Sequence, residues 1–270
     1  MKLKLIILAF IISTCSGDSI NPQRCRLGAC TFSGINLTLS DYEWQPTADN
    51  QESVYNIDFE SSVIPILYDN ICNTFSKLEY LLMDSIKIEE VAENAFHRCT
   101  NLKTLNLFDN RIKKLHPNTF KGLTNLEKIW LNSNKLTELD DNLFEDLHNL
   151  RVLSLSGNDI THFAPEILRN NRNLETIWLH SNDLLNLDVE KIVEFCPNLT
   201  DLYWNDNQVS CSRAGEANIF LNSKNIEFKD YILFKSRNYT TDTIDGFKCV
   251  PDSTWNTLFS KKGEEIGLEK

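Results

Sequence analysis

Five histidines are the side chains of this chain best suited to act as general bases or metal ligands near neutral pH. They are His97, His116, His148, His162 and His180. The sequence contains no metal-ligand spacing, no phosphate-binding loop and no nucleophile elbow. Acidic pairs such as Asp140-Asp141 have the character of solvated surface. We therefore expect no enzyme activity, no bound metal and no other cofactor.

The eight cysteines are the other reactive side chains. Cys15 lies in segment 1–17, where a basic start, an apolar run over residues 5–12 and small residues predict a secretory signal peptide. The apolar run is too short to span a membrane, and no other stretch is long enough. We expect a secreted chain whose seven remaining cysteines mostly form disulfides.

The elements that must position these groups are indicated by asparagines at steps of 24, 24, 24 and 25 residues. They are Asn110, Asn134, Asn158, Asn182 and Asn207. Each stands in the frame L-x-x-L-x-L-x-x-N-x-L, which is the signature of leucine-rich repeats. Seven repeats begin at Val54, Leu78, Leu102, Leu126, Leu150, Leu174 and Leu199. The pattern predicts an α/β solenoid, a leucine-rich repeat horseshoe with a disulfide-bonded cap at each end.

The asparagine amide is expected to bond backbone groups of neighbouring repeats that would otherwise be buried without partners. Ser62 and Ile86 occupy this place in the first two repeats, which we therefore expect to be less regular. In the frame, the five histidines stand at positions 20, 15, 23, 13 and 7, so stacking of repeats gives them no common site.

The predicted organisation is a signal peptide over 1–17, an N-terminal cap over 18–53, repeats over 54–211, and a C-terminal cap and tail over 212–270. The predicted disulfides are Cys25–Cys30 in the first cap, Cys72–Cys99 between two stacked repeats, and Cys211–Cys249 in the second cap. Cys196 is left over: it is either a buried free thiol or the site of an intermolecular disulfide. A third arrangement joins Cys196 to a C-terminal cysteine and moves the odd thiol elsewhere.

A candidate binding surface lies on the concave side of the predicted strands, where positions 5 and 7 of each repeat point away from the core. The candidate ligand-binding residues are Phe108, Trp130, Trp178, His180 and Tyr203. Exposed tryptophan and tyrosine are enriched at protein interfaces. The alternative is that these side chains mainly cover one another. Trp204 takes a core leucine place and is expected to point inward.

Glycans and charge limit the choice of partners. Sequons at Asn36, Asn198 and Asn238 are candidate N-glycosylation sites, and each can also be empty. A net charge of −11 disfavours binding to nucleic acid or anionic membranes. The expected partner is an extracellular protein or glycan, and a disulfide-linked or noncovalent oligomer is an open alternative.

Similarity to a known family lies in the segments that flank the repeats. The first reads Cys25-x-Leu27-x-x-Cys30-Thr31-Phe32-x-x-Ile35-x-Leu37-Thr38, and the second reads Asn207-x-x-x-Cys211 with Cys249 later. They resemble the caps of insect secreted leucine-rich repeat proteins, most of all the leucine-rich immune proteins of mosquitoes. Residues after Cys249 lack the sustained heptads of that family's long members, so the chain resembles a short member.

The resemblance implies a protein of the haemolymph that acts in innate immunity, by pathogen recognition or by holding a complement-like factor. Some members of that family form disulfide-linked complexes that hold a complement-like thioester protein. The repeat frame itself is shared by proteins of many functions. The alternatives are therefore an extracellular protein of adhesion, development or matrix, and a protein inhibitor of an enzyme.

Overall fold

The computed structural model describes residues 24–26, 29–33, 54–68, 71–228, 242–244 and 247–254. Its strands are β1 Arg24–Arg26, β2 Ala29–Ser33, β3 Asn56–Glu60, β4 Ile66–Leu67, β5 Tyr80–Leu82, β6 Glu90–Val91, β7 Thr104–Asn106, β8 Lys128–Trp130, β9 Val152–Ser154, β10 Thr176–Trp178, β11 Asp201–Tyr203, β12 Asp242–Ile244 and β13 Phe247–Cys249. The helices are α1 Ile71–Thr74, α2 Val189–Phe195 and α3 Cys211–Ser223, and a 3-10 helix covers Pro165–Leu168. The predicted signal peptide lies outside the described residues.

One nine-stranded sheet runs through the molecule in the order β1-β2-β3-β5-β7-β8-β9-β10-β11. The seven strands from β3 onward come one from each predicted repeat, and all of them are parallel to their neighbours. The register places equivalent residues side by side, for example Ile129 beside Leu153 and Leu105. The predicted leucine-rich solenoid is therefore confirmed.

The core is built from columns of equivalent apolar side chains. Leu105, Ile129, Leu153 and Ile177 are fully buried, and so is Trp204, as its place in the frame predicts. Behind the strands, the rings of Phe96, Phe120 and Phe144 stack with centroids 5.9 and 6.2 Å apart. Each repeat cannot bury such a face alone, so the stack as a whole holds the core together.

A ladder of asparagines joins the repeats, as the sequence predicts. Asn134 is typical: its Nδ2 donates to the Leu107 carbonyl at 2.9 Å and to the Leu131 carbonyl at 3.0 Å. Its Oδ1 accepts from the Ile112 N–H at 3.0 Å. The first two repeats are less regular, because the backbone carbonyl of Ile86 accepts from the Ile64 N–H and the extra strands β4 and β6 pair.

The caps cover both ends of the sheet. At the start, β1 and β2 form an antiparallel hairpin in which Cys25 lies opposite Cys30, and Cys30 is disulfide-bonded. Cys72–Cys99 ties two neighbouring repeats, and Cys211–Cys249 ties α3 to β13; both bonds agree with the prediction. After α3 the chain returns, and Glu227 pairs with the edge strand β11.

Candidate functional site

The strands of the main sheet turn alternate side chains away from the core. In β10, Ile177 is buried, while Thr176 and Trp178 face outward and are half-buried. Positions 5 and 7 of the repeats therefore line one continuous outer surface of the sheet, named the concave face after the predicted horseshoe. The parallel register sets neighbouring side chains on this face about 4.8 Å apart along the solenoid.

Four of the five predicted ligand-binding residues form an accessible row on the concave face. Phe108 is 37% exposed, and Trp130, Trp178 and Tyr203 are half-buried. The rings of Trp178 and Tyr203 stack with centroids 6.4 Å apart. The Tyr203 hydroxyl donates to Asp201 at 3.1 Å, which fixes the ring. The row offers apolar rings held in place, as interface anchors require.

His180 differs from the sequence-based expectation, because only 6% of its surface is exposed. Ser154, which lies between Trp130 and Trp178 in the register, is also buried. The larger side chains thus cover the smaller ones at this point of the row. His180 is part of the support beneath the concave face, and the accessible row consists of the other four aromatic residues.

An acidic cluster on the first repeats was missed by sequence reasoning. Asp58, Glu60 and Asp84 occupy positions 5 and 7 of the first two repeats. Burial raises the pKa of the Asp58 carboxyl, and the charges of Glu60 and Asp84 raise it further. No lysine or arginine stands at positions 5 and 7 of the seven repeats. The sequence already indicates this cluster, because positions 5 and 7 of the repeats carry carboxylates at the N-terminal end and no basic residue anywhere.

The edge where the strands begin carries charges of alternating sign. Position 2 is occupied in successive repeats by Glu79, Lys103, Glu127, Arg151 and Glu175. The Lys103 Nζ lies 2.9 Å from Glu79, and Arg151 makes two hydrogen bonds of 2.9 Å with Glu175. A groove of about 360 Å³ runs along this edge. The alternation at intervals of 24 residues is visible in the sequence.

The odd cysteine and the sequons have distinct surroundings. Cys196 is a free thiol with 1% exposure, so its sulfur offers no surface for an intermolecular disulfide in this conformation. Burial raises the pKa of the thiol to about 12, and the charge of Arg172 acts in the opposite direction. Asn198 is exposed at the edge groove. Asn36 and Asn238 lie outside the described residues.

The side chains that could bind a metal ion do not cluster in the described part of the chain. No group of three or more histidine, cysteine, aspartate or glutamate side chains is arranged there to hold a metal ion. The histidines are spread over the repeats: His116 pairs with Glu93 at 3.4 Å on the surface, whereas His180 is buried. Within the same residues, no helix is long and apolar enough to cross a membrane.

The repeat sequence is matched by a known family. A sequence model for the BspA-type leucine-rich repeat region matches in six copies over residues 47–110 and 89–227. The chain belongs to this leucine-rich repeat family. A comparison of the leucine-rich repeat chain with curated protein sequences finds no significant match.

Solved structures of other leucine-rich repeat proteins resemble the fold. The mosquito APL1 leucine-rich repeat domain has a TM-score of 0.62 at 22% identity, over 67% of this chain and 47% of that one. A chain of the mosquito LRIM1/APL1C complex has a TM-score of 0.62 at 22% identity, over 71% and 36%. The Drosophila Toll–Spätzle complex gives 0.53 at 23% identity, over 59% and 21%. This leucine-rich repeat chain spans less than half the length of each.

Proposed function

We propose that this chain is a secreted recognition protein of insect innate immunity that binds an extracellular protein and performs no chemistry of its own. The observation that carries the proposal is the row of accessible aromatic side chains on the concave face. Phe108, Trp130, Trp178 and Tyr203 present apolar rings at the outer surface of a rigid sheet. Such rings cost little conformational entropy on binding and dominate interface energetics.

The acidic cluster narrows the chemistry of the partner. Asp58, Glu60 and Asp84 lie on the same face as the aromatic row, at its N-terminal end. Burial is the main cause of the raised Asp58 pKa, and repulsion from Glu60 and Asp84 adds to it. A partner that brings lysine or arginine to this cluster and apolar groups to the row would offset that repulsion. A protein surface supplies both the basic side chains and the apolar groups, whereas a neutral surface glycan carries no positive charge.

Two of the similar structures support the immune assignment and the choice of a protein partner. The LRIM1/APL1C complex and the Toll–Spätzle complex are both assemblies of proteins. Toll–Spätzle is described as a hub in development as well as in innate immunity, which keeps a developmental role as the second candidate. Presence in haemolymph and induction by infection favour the first; constant expression with matrix retention favours the second.

The test compares the proteins that the native chain retains from insect haemolymph with those retained by variants. The double variant Trp130→Ala/Trp178→Ala removes two rings from the concave face. Ile219→Ala is the matched control, because Ile219 is a large apolar side chain, 73% exposed, on α3. We expect a protein held by the native chain and by Ile219→Ala to be lost from the double variant, with unchanged secretion. Identical retention by all three would remove the concave face as the binding site.

A further inference from the structure

A column of asparagines runs along the edge groove, one residue before each repeat. Its members in the groove are Asn125, Asn149, Asn173 and Asn198. The first three use their side chains to join the repeats: Nδ2 donates to the carbonyl of Thr100 at 2.7 Å, of Thr124 at 2.8 Å and of His148 at 2.8 Å, respectively. These three amides are therefore already hydrogen-bonded between neighbouring repeats.

Asn198 stands at the same place but is not used in this way. It is exposed, and its side chain makes no hydrogen bond within the described part of the chain. Its Nδ2 is therefore available for a covalent bond without loss of a contact between repeats.

The charged column of position 2 also changes at this point. The second residue after each asparagine is Glu127, Arg151 and Glu175 in the earlier repeats, but Thr200 after Asn198. Replacement of a charge by a hydroxyl turns Asn198-Leu199-Thr200 into an N-glycosylation acceptor. The one asparagine of the groove with a free amide is thus also the one with an acceptor sequence.

We propose that Asn198 carries an N-linked glycan whose first sugars lie along the edge groove, over Asn173, Glu175 and Arg151. The amides, carboxylates and guanidinium group of the groove offer donors and acceptors for sugar hydroxyls. Glu175 is one strand from Asn198 and Arg151 is two strands away, about 5 and 10 Å along the solenoid. The sugars close this edge to proteins and leave the aromatic row as the accessible surface.

The modification rests on entry into the secretory pathway, which is part of the proposed function. The full chain, including the predicted signal peptide over residues 1–17, is expressed in insect cells, and tryptic glycopeptides are analysed by mass spectrometry. We expect sugar on Asn198, its loss in Asn198→Gln and Thr200→Ala, and its retention in Thr200→Ser, which keeps the acceptor sequence. A secreted protein with bare Asn198 overturns this inference and leaves the secretory route intact. Retention in the cells with no glycosylated asparagine overturns both.

The position of the sugars is tested by the rate at which peptide N-glycosidase releases them from the folded protein. Arg151→Ser removes a donor from the groove. Arg111→Ser is the matched control, since Arg111 is also an exposed arginine paired with a carboxylate, that of Glu89 at 3.3 Å. We expect release about five-fold faster from Arg151→Ser, the ratio for one lost hydrogen bond, and no change for the control. Equal rates in folded variants, checked by thermal unfolding, would mean that the glycan points into solvent.

Discussion

The backbone N–H of Ile64 donates to the backbone carbonyl of Ile86 at 2.9 Å. In the later repeats the equivalent N–H donates to an asparagine side chain, as Ile88 does to Asn110 at 2.9 Å. A main-chain oxygen therefore replaces the missing amide between the first two repeats. Lys87, the next residue, has a φ of 64°, a left-handed conformation that no other repeat shows at this place among the described residues. This local change keeps the buried N–H bonded although the asparagine is absent.

Ile86→Asn, which restores the repeat consensus, is expected to destabilise the protein. The carbonyl of residue 86 already satisfies Ile64, so a new amide would be buried without partners at a site that is 0% exposed. We expect a loss of about 2–4 kcal/mol in the free energy of unfolding, measured with denaturant. Ile86→Val is the control and should cost only about 1 kcal/mol. A gain of stability in Ile86→Asn would show that the backbone readily adopts the regular asparagine turn.

Asn134→Ala is expected to be far more harmful than the same change two residues away. Loss of the Asn134 amide leaves the buried Ile112 N–H without its side-chain partner. It also removes one of the two asparagine donors from the carbonyls of Leu107 and Leu131, which keep those of Asn110 and Asn158. The unsatisfied N–H costs about 1–3 kcal/mol and each of the two lost donor bonds costs about 1 kcal/mol, so the total should be about 3 kcal/mol or more. Asn132→Ala, on the half-buried concave face, should cost less than about 1 kcal/mol. Equal midpoints of denaturant unfolding for the two variants would contradict this role of the ladder.

The sequence predicts those parts of the fold that repeat. Equivalent residues 24 apart lie side by side, so the leucine columns, the asparagine ladder and the Cys72–Cys99 bond follow from counting along the chain. The inward direction of Trp204 follows in the same way, because its place in the frame belongs to the core. A frame of this kind converts sequence separation directly into spatial position.

The sequence predicts that the two repeats without asparagine are less regular, but not the form that such departures from the frame take, because that form depends on how neighbouring groups fill space. His180 stands at an outward position, yet its neighbours leave it only 6% exposed. The carbonyl of Ile86 takes over a side-chain role only through the left-handed backbone at Lys87. The repeat position of a residue predicts which face of the sheet its side chain lies on, but not how far neighbouring side chains bury it.

Asp58→Asn is expected to stabilise the folded protein at pH 7. Burial and the charges of Glu60 and Asp84 raise the pKa of Asp58 in the folded state above its ordinary value. For a raised carboxyl pKa, the stabilisation is fully present below the unfolded-state pKa and is lost as pH rises through the folded-state value. The ionised group therefore opposes folding at neutral pH, and asparagine removes that charge.

Thermal unfolding from pH 3 to pH 7 measures this effect. The advantage of Asp58→Asn over the native chain should be largest at pH 7 and should shrink as the native carboxyl becomes protonated. Asp141→Asn, at an exposed aspartate outside the concave face, is the control. A midpoint lower than native at pH 7 would mean that Asp58 makes a favourable contact in the folded state. The same variant should weaken capture of a basic partner, so that stability and binding change in opposite directions.

Cys196 is expected to be unreactive in the folded protein. Its thiol is 1% exposed, and burial raises its pKa to about 12. Because the thiolate is the reactive form, iodoacetamide at pH 8 should leave the native thiol unlabelled and should label it after unfolding. On gels without reductant the protein should run as a monomer. Native labelling, or a larger band that reductant removes, would show that Cys196 is accessible and can link to a partner.

Burial of Cys196 also makes the stability of the fold depend on pH, with a loss of stability at high pH. The unfolded thiol ionises near its ordinary pKa of 9.0, whereas the folded thiol keeps its proton to about 12. The contribution of Cys196 to stability is therefore fully present below pH 9.0 and is lost as pH rises towards 12. Cys196→Ala lacks this titration, so its unfolding midpoint should fall less steeply than the native one between these values. Parallel curves for the two proteins would show that the thiol ionises alike in the folded and unfolded states.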